Sequence, residues 1–252
     1  MNLKINNKVY KLNVSWHTVT LRMAINISNI EISEDKMIIL LNDDGTNTFD
    51  DEIIDYIKDV IVILSDIPKD VLINVSTTQI ITIWDLISQI IKSLYLVKFD
   101  SYSYLGAKSI TFNDKVYHMP ESLPISNVEE ILAHKEPSIN IVEISNLALR
   151  LSEMKNKGIE TMKYICAILL KENINEVYDE EVIVKKAKLF EDLPMNIVFE
   201  CFFFINYFTI NYLLNSLSCS VVEMQPKKQN IIVGFIRWLN QVWQGILKRL
   251  KK

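Results

Sequence analysis

The chain has 252 residues, 49% hydrophobic and 23% charged, with a formal net charge of −4. That balance excludes a disordered or fibrous chain and fits a globular one. With only 5 Gly and 6 Pro, long flexible linkers are not expected, and the length suits one large domain or two smaller ones.

The opening segment from Leu3 to Leu12 alternates apolar and polar residues around Asn6-Asn7. A period of two with an Asn pair predicts a β-hairpin closed by a two-residue turn. Trp16 and Val19 follow, and then a helical pattern from Leu21 to Ile30. Met37 to Leu41 is a short apolar run, and Asn42-Asp-Asp-Gly45 reads as a turn. Asp50 or Asp51 is placed to cap a helix with Ile53, Ile54, Ile57, Val60, Ile61 and Leu64 inward, ending at Ile67-Pro68. Ser76 or Thr77 would cap the next, Gln79 to Leu94, with Ile80, Ile83, Trp84, Ile87, Ile90, Ile91 and Leu94 on its inner face. Its many β-branched residues are poor helix formers, so packing has to hold it.

Phe112-Asn-Asp-Lys-Val-Tyr-His-Met119 then matches Ile5-Asn-Asn-Lys-Val-Tyr-Lys-Leu12 position for position. The bland reading is ordinary hairpin chemistry. The sharper one pairs the two hairpins into one antiparallel sheet, with residues 13–108 as a helical excursion between them. Helices are expected from Ile141 to Lys155, with Gly158 as a C-cap, from Ile159 to Glu172, and from Asp179 to Leu193. Pro194 stands near the start of the apolar stretch Met195 to Leu217. That stretch is about as long as a bilayer span of roughly 20 residues. Glu200, Asn206, Asn211 and Asn215 interrupt it, so a buried core helix is expected instead. The fold class is therefore α+β, mostly helical, with two hairpins forming a small sheet packed with a helical bundle. The organisation is a body over 1–217, a polar linker over 218–230 and a final helix over 231–252.

The residues that carry chemistry are sparse. The Gly residues are isolated, so there is no phosphate-binding loop. His17, His118 and His134 lack metal-ligand spacing, and no nucleophile elbow occurs. Acidic pairs such as Asp50-Asp51 and Glu180-Glu181 fall at helix starts, where the helix dipole favours them. A carboxylate site assembled in space stays open, because such pairing is not visible in sequence. No enzyme activity, metal or cofactor is expected. Cys166, Cys201 and Cys219 are far apart in apolar sequence and read as buried small hydrophobes in a reducing compartment. The opening lacks an apolar h-region, and no signal peptide is expected.

Charge is more informative. Lys227, Lys228, Arg237, Lys248, Arg249, Lys251 and Lys252 are accompanied by no acidic residue, whereas residues 1–226 carry 20 basic against 31 acidic side chains. In 231–252 the helical spacing groups Phe235, Leu239 and Trp243 with further apolar residues, while Lys248 and Arg249 lie largely opposite. Trp238 adds a second indole. A basic amphipathic helix with aromatics suits a partner groove or an anionic membrane surface; it also suits packing on its own body. Phe235, Trp238, Leu239, Trp243, Lys248 and Arg249 are the candidate partner-binding residues. No specific nucleic acid is expected, since the body is acidic and the basic residues are few.

The run Lys4-Ile-Asn-Asn-Lys-Val-Tyr-Lys-Leu-Asn-Val-Ser-Trp16 resembles small proteins of crAss-like bacteriophages, which infect Bacteroides-type gut bacteria. Ala187-Lys-Leu-Phe-Glu-Asp-Leu-Pro194 followed by Phe202-Phe-Phe204 is similar to the same group. Only four Arg, with heavy use of Ile, Asn and Lys, agree with an AT-rich genome. The resemblance touches both ends of 1–217 and not the basic tail. It implies a virion component or an assembly factor, in the virion or the host cytoplasm, with other phage structural proteins as partners and oligomers allowed. It carries over no functional residues.

Overall fold

The computed structural model describes residues 1–41, 49–96, 108–120, 139, 141–173 and 176–205. They belong to two compact units. One is drawn from Met1–Ser101 with Pro194–Asn196, the other from Tyr102–Leu193 and the chain from Ile197 on. The architecture is α+β and mostly helical, with two small antiparallel sheets.

The first unit opens with strands β1 (Asn2–Ile5) and β2 (Lys8–Lys11), paired with Leu3 opposite Tyr10 and Ile5 opposite Lys8. Asn6 and Asn7 both have positive φ, 48° and 64°. This is the type I′ geometry whose twist matches the strands, and Asn tolerates it better than most residues. Leu12 is buried and bridges Ser65. Helix α1 (Leu21–Ser28) is capped by Thr20, whose hydroxyl accepts from the Met23 amide. The apolar run at Met37 lies inside helix α2 (Glu34–Leu41). Of the two candidate caps for α3 (Asp51–Leu64), Asp50 does the work, accepting from the Ile53 amide at 2.9 Å. A short helix α4 (Lys69–Ile73) follows Pro68.

Ser76 and Gln79 form a capping box at the start of α5 (Thr77–Leu96), with Ser76 Oγ accepting from the Gln79 amide and Gln79 Oε1 accepting from the Ser76 amide. Ile80, Ile83, Trp84, Ile87, Ile90 and Ile91 are all buried, as their spacing predicts. Trp84 meets Tyr56 of α3 edge-on, 6.4 Å between centroids. The unit is closed by Met195 and Asn196, whose amides donate to the carbonyls of Val19 and Trp16.

The second unit repeats the opening. Strands β3 (Ser109–Phe112) and β4 (Lys115–His118) pair with Ile110 opposite Tyr117, and Asn113 and Asp114 take φ of 49° and 61°. Helix α6 (Ile141–Lys157) stops at Gly158, whose φ of +57° favours glycine. A 3-10 turn (Gly158–Thr161) leads into α7 (Met162–Leu169). The periodicity suggests a helix continuing to Glu172, but Leu170 turns extended and Lys171 pairs with His118. Helix α8 (Glu180–Phe190) is capped by Asp179, which accepts from the amides of Glu181 and Val182. Residues 195–205 are helical (α9), with Cys201, Phe204 and Ile205 buried and Phe202 and Phe203 half-buried.

The expectation of one shared sheet is overturned: each hairpin is a two-stranded sheet of its own. The reason is local. The outer edge of β2 is met by Ser65 and Asp66, and that of β4 by Lys171. Each second strand thus finds its next partner in chain returning from a helix of its own unit.

Candidate functional site

The densest polar arrangement lies in the second unit, around the returning residue Lys171. Its amide donates to the His118 carbonyl at 3.1 Å and its carbonyl accepts from the His118 amide at 2.7 Å. This fixes the backbone, and the side chain runs inward to Glu143 of α6. Nζ lies 2.7 Å from Glu143 Oε1, with the two side chains 4% and 3% exposed. Removing two charges from water costs several kcal/mol per ion, which close pairing only roughly offsets. A buried pair of this kind holds α6 in one position on the hairpin more than it adds net stability.

A belt of more exposed ion pairs lies in the same unit. Lys115 Nζ reaches both Glu172 oxygens at 3.0 Å. The Glu172 amide donates to Glu176, which also takes Lys186 at 2.6 Å. Arg150 spans Glu153 and Glu180 at 3.2 and 2.6 Å and lies 4.6 Å from the centre of the Tyr164 ring. Tyr178 donates to Glu180; burial first, and that carboxylate second, push its pKa up to about 12. Lys163 sits between Glu160 and Glu191 at 3.0 and 2.9 Å. Burial works against its charge, but the two carboxylates outweigh it and its pKa is raised. The Tyr117 hydroxyl is buried and makes no hydrogen bond of acceptable geometry. Burial, and then the nearby Glu172 carboxylate, raise its pKa.

Beneath the hairpin, Cys201 Sγ lies 3.9 Å from Met119 Sδ. The neighbouring Cys166 sulfur and complete burial push the Cys201 thiol well up, so it is held as an inert thiol. Among the described residues no three His, Cys, Asp or Glu are placed to hold a metal ion. Also among them, no helix is long and apolar enough to cross a membrane. Chemically, this belt pairs cations with carboxylates and fastens elements together.

Phe235, Trp238, Leu239, Trp243, Lys248 and Arg249 lie outside the described residues, as do the linker 218–230 and the helix expected over 231–252. Of the sequence-singled acidic pairs, Glu180 enters the belt through Arg150, while Asp50 is a cap that also pairs with Lys36. The Lys171–Glu143 pair escapes sequence reading. Glu143 looks like a first-turn acid and Lys171 like the polar end of an apolar helix, and nothing along the chain links them. No family model, curated protein or solved structure matches this chain.

Proposed function

We propose that this is a non-enzymatic bacteriophage protein, built into or packaged with the virion, that acts through protein–protein contacts of its residues 231–252. The observation that carries this reading is the segregation of charge. Seven basic and no acidic residues lie from Lys227 on, against a net charge of −11 before it. Two of the four Trp residues fall in the same short stretch. Trp buries a large area at low entropic cost and is enriched at binding hot spots. The likeness of residues 4–16 and 187–204 to crAss-like phage proteins supplies the setting.

Mass spectrometry of purified particles tests it. Presence at a fixed copy number supports a virion component, whereas absence from particles with abundance in infected cells points to an assembly chaperone. A chain truncated after Pro226 should stay folded and soluble and lose its place in particles or complexes. If the truncated chain unfolds or aggregates, the tail belongs to the core and the reading fails. Flotation of the full chain with anionic vesicles, lost on truncation, would instead favour a membrane-surface role.

A further inference from the structure

We propose that the chain is a tandem duplication, with residues 2–96 and 109–190 two copies of one hairpin-and-helix module. The matched octapeptides Ile5 to Leu12 and Phe112 to Met119 are not enough by themselves, because Asn-rich type I′ hairpins recur in unrelated proteins. Three independent features extend the match well past the turn.

The first is spacing. The path from Lys11 to the start of α2 at Glu34 is as long as that from His118 to the start of α6 at Ile141. The path from Lys11 to Asp51, where α3 begins, equals that from His118 to Gly158, where the 3-10 turn into α7 begins.

The second is the return of the chain. After α3, the Asp66 amide donates to the Lys11 carbonyl at 3.2 Å; after α7, the Lys171 amide donates to the His118 carbonyl at 3.1 Å. Lys11 and His118 are the same position of the two octapeptides. In both units an antiparallel bridge marks the return, Leu12 with Ser65 and His118 with Lys171. A helix with its own side-chain cap then follows, α5 behind Ser76 and α8 behind Asp179, and packs on the helix before the return.

The third is how the helix at that matched spacing, α2 in one unit and α6 in the other, is fastened. The third residue of α2 is Lys36 and the third of α6 is Glu143. Each makes an ion pair to a later part of its own unit, Lys36 to Asp50 at 2.9 Å and Glu143 to Lys171 at 2.7 Å. The same position is used with the charge reversed, although its partner stands at the start of the next helix in the first unit and on the returning chain in the second. The inward faces agree as well: Leu3, Ile5 and Tyr10 in one hairpin and Ile110 and Tyr117 in the other are buried or half-buried. The outward Val9 and Val116 are exposed in both. Among the described residues helix α4 is a departure, and the path from Asp66 to α5 is longer than that from Lys171 to α8; the span that would answer to α1 lies outside the described residues.

The test is an experimental structure of the full chain, with one hairpin superposed on the other. Duplication requires α3 to fall on the segment Gly158–Leu169 and α5 on α8, each with the same direction and on the same hairpin face. Helices that run oppositely or cover opposite faces overturn the proposal. Amide exchange on the same chain gives a second readout. Both the Asp66 and the Lys171 amide should exchange on the order of 100-fold slower than a free chain. Protection of one without the other overturns the shared return strand.

Discussion

Tyr10 and Tyr117 occupy the same place in two hairpins with the same turn geometry, yet Tyr117 is fully buried and Tyr10 only half-buried. The difference comes from the neighbours. Tyr117 meets Phe190 of α8 edge-on, 5.1 Å between centroids, and Phe112 meets the same ring at 6.1 Å. In the first hairpin the position of Phe112 is held by Ile5, which brings no ring. A short motif therefore sets the turn, register and facing of its strands, while the helix packed against it sets how much each side chain contributes. The ion pairs teach the same lesson. Lys36 is half-buried but its partners Asp50 and Glu52 are exposed, so solvent screens the pairs, whereas Glu143 and Lys171 are dry.

The sharpest way to test this contrast is truncation of the two tyrosines. Tyr117→Ala should cost about 3–5 kcal/mol in denaturant unfolding, and Tyr10→Ala distinctly less. Equal losses would show that the hairpins are equally built into their units. Next comes the contrast of the ion pairs. Lys171→Met leaves Glu143 buried without its cation and should cost about 3 kcal/mol. Lys36→Met should leave the melting temperature nearly unchanged. The double variant Glu143→Leu/Lys171→Met should recover most of the loss, and failure to do so would mean that the pair contributes more than positioning.

A third test uses alkaline pH. Tyr178 ionises near pH 10 when unfolded but at about 12 when folded. The folded form keeps its proton over that window while the unfolded form loses it. The stabilisation is thus complete below about pH 10 and lost as the pH rises toward 12. Unfolding midpoints of parent and Tyr178→Phe chains should differ in slope across that range and run parallel below it. The smallest effect concerns the turns. Asn7→Gly and Asp114→Gly place the preferred residue at positive φ, and each should stabilise its unit by about 0.5 kcal/mol. A gain at only one would show that the turns are not under the same constraint.

Local order was readable along the chain wherever period and capping agree. The inner face of α5 is buried from Ile80 to Ile91 as its spacing foretells, Leu94 lying outside the side chains described, and both Asn-led turns adopt the geometry their residues favour. The early end of α7 was not readable, because Leu169-Leu170 continues an apolar helical pattern and only the tertiary pairing of Lys171 with His118 breaks it. The separation of the two sheets was hidden for a related reason. Like sequences suggest like neighbours, but each strand edge was filled by chain returning from a helix nearer in sequence. The Glu143–Lys171 pair joins two elements whose own residues each have a simpler local explanation.

The sulfur cluster under the second hairpin gives the molecule an internal clock. Cys166 and Cys201 are both buried, and Met1–Ser101 contains no cysteine. In a Cys219→Ser chain, an added thiol-modifying reagent would reach a sulfur only during an opening of the second unit. The rate of mass gain would then count openings of that unit alone, while the first unit stays silent to the reagent. If the two units open together, a destabilising change such as Leu21→Ala in the first would quicken that labelling; if they open separately, it would leave the rate untouched.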